Sequence, residues 1–192
     1  SLAIPPHSPT LHNLWRRLMV ADVQAPAGTA ANIEFEALRL ESLYRSGLLD
    51  DIRETLKSRD ASSPQPQPPL IAMMTARSEI GAGRRKSGCD AVERIGNIRA
   101  DIPKPLRGEA ILVAGYCAAA SGNKPAAGLL ADLAREEGIK PSPGLAALDA
   151  VALGNSTGIA LAKDQKLTLI DYRILELAGA TPARDELVAT AS

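Results

Sequence analysis

Residues 103–138, PKPLRGEAILVAGYCAAASGNKPAAGLLADLAREEG, decide the fold of this chain. In the first half, Ala110, Ala114, Cys117, Ala118 and Ser121 recur at helical spacing as a stripe of small residues. Small side chains let a second backbone come close, so this helix is built to be packed against. In the second half, Leu130, Leu133 and Ala134 lie on one side of a helix and Arg135, Glu136 and Glu137 on the other. Ser121–Gly122–Asn123 makes the turn between them. Gly138 stops the second helix, and Pro141 and Pro143 keep it from resuming. The stretch therefore predicts an antiparallel helical hairpin.

Working outward, the rest of the chain repeats the theme. Ser8–Pro9 has the form of an N-cap followed by proline at the first helical position. Leu11, Leu14, Trp15 and Leu18 then form an apolar stripe, with Trp15 expected in the core and Arg16 and Arg17 facing away. Pro26 and Gly28 set a loop over 23–29. A first hairpin is expected over 30–59: Ile33, Ala37, Leu40 and Tyr44 line one helix, Gly47 turns the chain, and Leu49, Ile52 and Leu56 line the other. Asp50 and Asp51 oppose the positive end of that second helix. The run ASSPQPQPP at 61–69 forbids helix and reads as an extended linker.

A second hairpin is expected over 70–98, turned at Gly81–Ala82–Gly83, with the densest charge, Arg84–Arg85–Lys86–Ser87, at that turn. Beyond Gly138, Leu145, Leu148 and Ala152 predict a short helix ended by Gly154. Leu167, Ile170, Ile174 and Leu177 predict a longer one ended by Gly179, and Thr181–Pro182 starts another. No segment sustains a period of two. The expected fold is all-α: an N-terminal helix and loop over 1–29, then an array of helical hairpins over 30–192.

Composition agrees with close-packed helices. Of 192 residues 45% are hydrophobic but only 3% aromatic, so core volume must come from Leu, Ile, Val and Ala. Lys plus Arg and Asp plus Glu both number 22, so no global field draws nucleic acid or an anionic membrane, and no nucleic-acid partner is expected. No apolar run approaches the ~20 residues that span a bilayer. Cys89 and Cys117 fit no metal or redox spacing. Each sits among small residues on a predicted helix and reads as a buried thiol, the two becoming neighbours if their helices pack. Either a cytoplasmic or a periplasmic location is compatible with two cysteines. Helical signal runs up to Ser192, which suggests a piece of a longer polypeptide.

Aligning the turn glycines Gly47, Gly83 and Gly122 gives intervals of 36 and 39 residues, in the range of helical-hairpin repeats. Seven residues before them stand Leu40, Ala76 and Gly115. Five after stand Ile52, Gly88 and Ala127, and nine after stand Leu56, Val92 and Ala131. All are small or apolar, as sites of close helix contact require.

The pattern from Ile33 to Pro141 resembles the tetratricopeptide family, though the intervals are longer than usual and the family's aromatic positions are mostly aliphatic. The resemblance implies a short right-handed α-solenoid whose first helices line a concave groove. It places Glu34, Glu41, Tyr44 and Arg45 there from the first repeat, Arg77 from the second, and Glu109 and Tyr116 from the third. Arg45 and Arg77 would then anchor a carboxylate, with the tyrosines adding contact area; the three glutamates on the same surface are also placed to neutralise both arginines.

Catalytic constellations are missing from the sequence. Gly154–Asn155–Ser156–Thr157–Gly158 matches G-x-S-x-G, but the only histidines, His7 and His12, lie far upstream, and helix rather than strand precedes it. GAGRRKSG at 81–88 suggests a phosphate cradle without matching the P-loop spacing, and reads as an exposed basic turn. The two histidines have the wrong spacing for a zinc site. The expected function is a non-catalytic scaffold for a protein or peptide partner, with no cofactor or metal and self-association open. The alternative is a structural arm of a larger enzyme or envelope assembly.

Overall fold

The computed structural model describes residues 8–21, 32–62, 66–155 and 167–182, and every regular element in them is helical. In chain order these are α1 (Pro9–Val20), α2 (Asn32–Arg45), α3 (Leu49–Ser62), α4 (Pro69–Gly81) and α5 (Arg85–Glu93). They continue with α6 (Ile98–Asp101), α7 (Lys104–Ala120), α8 (Lys124–Glu136), α9 (Pro143–Leu153) and α10 (Leu169–Leu177). The three expected turns fall where the glycines are: Gly47, Gly83 and Gly122 have φ of 72°, 81° and 81°. That left-handed region penalises any residue with a Cβ, so the reversal is written into the glycine itself.

Of the nine positions aligned on those turns, all are buried except Val92, which is half-buried. The packing register read from the sequence is thus correct. The small-residue stripe of α7 needs adjustment. Ala114, Cys117 and Ala118 are only half-buried and Ser121 is exposed, whereas Gly108 and Gly115 meet Ile139 and the pair Leu148 and Leu130. The closest approach to α7 is therefore carried by glycines one step round the helix.

The linker is shorter than 61–69, since α3 extends to Ser62 and α4 begins at Pro69. Proline at the first helical position removes an N–H that has no partner anyway, so Pro69 starts a helix rather than blocking it. Asn97 caps the short α6, an element not expected from the sequence. Thr181–Pro182 points into residues beyond the described ones, as do residues 156–158 of the G-x-S-x-G match.

The helix α4 is the centre of the molecule. Residues 71–74 and 76–81 are all buried, so the helix has no solvent face and no apolar stripe. One core cluster joins Ala76 and Ile80 to α7, α8, α9 and α10; the other joins Ile71, Ala72, Met73 and Met74 to α2, α3 and Ala110. Arg173 of α10 donates from Nε and Nη2 to the Gly81 carbonyl at 3.0 and 2.9 Å. The last described helix thus closes back onto α4.

At the far end, Asp171 ties two helix starts together. One carboxylate oxygen accepts from the Ser142 hydroxyl and the Gly144 N–H of α9, and the other accepts from the Thr168 N–H and hydroxyl of α10. Cys89 of α5 and Cys117 of α7 are not free thiols but a disulfide, and both are half-buried. Their helices belong to successive hairpins and pack against each other.

Two outcomes test this packing. A Cβ on Gly88 would lie 2.5 Å from Ile80 Cγ1 and 3.1 Å from the Ala76 carbonyl oxygen. Ala is the better helix former by about 1 kcal/mol, yet Gly88→Ala should destabilise by about 1–3 kcal/mol because backbone obstructs it; a raised urea midpoint would refute the close α4–α5 approach. The disulfide closes a sequence separation of 28 residues. On the chain-entropy relation, replacing both cysteines by serine should cost about 3–4 kcal/mol; an unchanged melting temperature would show that the bond contributes nothing.

Candidate functional site

The structure gathers five of the seven groove residues into one cluster. Glu41, Tyr44 and Arg45 occupy the last turn and a half of α2, Arg77 the last turn of α4, and Glu109 the second turn of α7. Arg77 is 4% exposed. Its Nη1 lies 2.8 Å from Glu41 Oε2, its Nε 2.9 Å from Glu109 Oε1, and its guanidinium stacks 4.1 Å from the Tyr44 ring centroid. The other Glu41 oxygen accepts from Arg45 Nε at 2.7 Å.

Burial pushes both carboxyls up. On Glu41, Arg77 and Arg45 outweigh burial and hold it below the usual carboxylate range, whereas on Glu109 burial prevails over Arg77 and the pKa is raised. Burial also pushes the Tyr44 phenol up to about 12, against the opposing charge of Arg77, so it keeps its proton at neutral pH. The neutralisation foreseen for the two arginines is what the structure contains. Arg77 is ion-paired on both sides within the fold, although its Nε and the Tyr44 hydroxyl make no hydrogen bond among the described residues, and the cluster ties α2, α4 and α7 together as a charged joint.

Glu34 is exposed in the first turn of α2 and takes no part in the cluster. Tyr116 lies elsewhere, on the wall of an open pocket of about 630 Å³. Residues 83–87 of the α4–α5 turn form its floor, and Arg173, Glu176 and Leu177 of α10 face Tyr116 across it. The basic run at 84–87 is divided by the fold. Arg84 is half-buried and grips Glu79 with Nε and Nη2 at 2.8 and 2.9 Å, and its Nη1 reaches Asp50 at 2.9 Å. Arg85, Lys86 and Ser87 are exposed. Arg173, which sequence reasoning missed, carries no local signal: its partner Gly81 is 92 residues away.

The second unforeseen surface is on α1. Trp15 is half-buried rather than core, and its Nε1 donates to Ser46 Oγ at 3.1 Å. Arg16 forks onto Asp51 at 2.9 and 2.7 Å, and Arg39 donates to the carbonyls of Met19 and Ala21 at the C-terminal end of α1. These polar ties set the rotation of α1, turning His12, Trp15 and Met19 inward. Leu11, Leu14 and Leu18 are left outward at 51%, 63% and 57% exposure.

No family model, curated protein or solved structure matches this chain. Among the described residues no helix is long and apolar enough to cross a membrane.

The cluster makes a direct prediction. Arg77→Met keeps the side-chain volume but leaves Glu41 and Glu109 facing each other without their shared cation. Removing one partner of a buried ion pair costs about 3–5 kcal/mol; here the carboxylates are partly exposed, so about 3 kcal/mol is expected. A denaturation midpoint equal to that of the wild type would show that the joint contributes nothing to stability.

Proposed function

We propose that this chain is a non-catalytic helical scaffold, its hairpins standing as a short stacked array, that docks an amphipathic helix of a protein partner along α1. The observation that carries the reading is the uncovered leucine face. Leu11, Leu14 and Leu18 recur at i, i+3 and i+7 on a helix with no buried residue, whereas the exposed leucines of the other described helices, Leu38, Leu129, Leu153 and Leu169, stand one to a helix. Full burial of one leucine is worth about 1.5–3 kcal/mol, and this spacing is how a helix reads a partner helix. Contiguous apolar surface of this kind marks interaction sites.

Charge selects the occupant. The sequence of α1, PTLHNLWRRLMV, contains no acidic residue, and the Arg17 side chain beside the stripe has no ion-pair partner among the described residues. A helix with acidic edges fits this face; a second copy of α1 would oppose arginine with arginine. The α5–α7 disulfide supports an oxidising compartment, where such bonds persist.

A photoreactive amino acid placed at Leu14 in the native host, with Leu129 (62% exposed) as the control position, tests the proposal. A discrete partner adduct is expected at 14 and not at 129. With that partner purified, Leu14→Asp combined with Leu18→Asp should weaken binding at least about tenfold, the equivalent of 1.4 kcal/mol. Adduct yield no higher at 14 than at 129 refutes the docking face. An adduct to another segment of the same polypeptide would transfer the face to the structural-arm reading.

A further inference from the structure

The pocket beneath Tyr116 is built from α5, α7 and α10 and is independent of the α1 face. Its floor is a helix start without a side-chain cap. Arg84 occupies the N-cap position and carries only donors, and the N–H groups of Arg85, Lys86 and Ser87 find no acceptor among the described residues. At other helix starts Ser8, Asn97, Asn123, Ser142 and Thr168 supply that acceptor from their own side chains, while Pro68 and Pro103, before α4 and α7, do not. A bare helix start attracts anions but is not in itself a site.

Tyr116 is the independent sign of a ligand. Its side chain is only 5% exposed, yet it forms a wall of the pocket, and its hydroxyl makes no hydrogen bond among the described residues. The ring is buried, while the hydroxyl is accessible and left free to donate to a pocket occupant. Burial raises its pKa against the opposing charges of Arg85 and Arg173, so the proton is retained for donation.

The neighbouring cations have different degrees of freedom. Arg84 is held by Glu79 and Asp50, Lys86 by Asp90 at 2.9 Å, and Arg173 by the Gly81 carbonyl and by Glu176 at 2.8 Å. Arg85 is exposed and has no ion-pair partner among the described residues.

We propose that this pocket binds the phosphate group of a small molecule, received by the backbone N–H groups of residues 85–87, the Arg85 guanidinium and the hydroxyls of Ser87 and Tyr116. These donors exceed what the two oxygens of a carboxylate accept and suit the three oxygens of a phosphate monoester. Glu176 lies on the α10 side, bonded to Arg173, and repels an anion from that end. The phosphate therefore sits toward α5, with the remainder of the molecule extending past Leu177. A volume of about 630 Å³ is that of a small-molecule site.

The test uses the full chain, ¹⁵N-labelled, titrated separately with inorganic phosphate, glycerol 3-phosphate, acetate and a phosphoserine heptapeptide. Saturable shifts of the amides of residues 85–87 are expected with both phosphates, at least tenfold tighter than with acetate. Arg85→Gln and Tyr116→Phe, each checked for an unchanged melting temperature, should each weaken binding about tenfold. Tighter binding of glycerol 3-phosphate identifies a phosphorylated metabolite; equal binding identifies free phosphate; both support the site. Absence of saturable shifts at 85–87, equal affinity for acetate, or wild-type binding by Tyr116→Phe overturns it. A phosphoserine peptide binding more than tenfold tighter than both phosphates overturns the small-molecule class and gives the pocket to a protein ligand.

Discussion

The rest of the structure depends on the enclosure of one helix, α4, that carries opposite charges into the interior. Arg77 and Glu79 are both 4% exposed. An unpaired charge in that environment would be prohibitive, so the surrounding elements are obliged to bring counter-charges. Glu41 and Glu109 reach Arg77 from α2 and α7, while Arg84 from the α4–α5 turn and Arg53 from α3 reach Glu79. The apolar residues of α4 fill both core clusters, and its C-terminal carbonyl at Gly81 is covered by Arg173. Hydrophobic burial supplies the driving force here, and the ion pairs fix which helices lie on which side.

This enclosure governs what is left for binding. The charged residues buried on α4 are paired with charges from neighbouring elements and are therefore inaccessible. The two surfaces proposed for binding lie where the internal pairing is incomplete. One is α1, whose rotation is set by polar ties through Trp15, Arg16 and Arg39 and whose leucines consequently face outward. The other is the start of α5, where the turn residue at the cap position, Arg84, is drawn to Glu79 and offers the helix no acceptor. Both surfaces are by-products of satisfying something deeper.

The hairpin content was legible because it rests on local chemistry. Glycine at 47, 83 and 122 takes up a backbone conformation that other residues avoid, and apolar side chains at helical spacing must face a core somewhere. The aligned positions around those glycines are buried for the same reason. The stripe of α7 was misjudged by one step because Gly108 and Gly115 permit a closer approach than alanine does.

The sequence by itself determined most of the helices and their glycine turns, since each depends on residues within a few places of one another. Tertiary structure alone decided which charges are consumed and which remain. Arg77 meets Glu41 across 36 residues and Arg173 meets Gly81 across 92. Coulombic and hydrogen-bond partners are selected by distance in space, which no local pattern in the chain records. The same holds for Leu11, Leu14 and Leu18: periodicity shows that they share one side of α1, but only the contacts of Trp15, Arg16 and Arg39 decide that this side faces solvent.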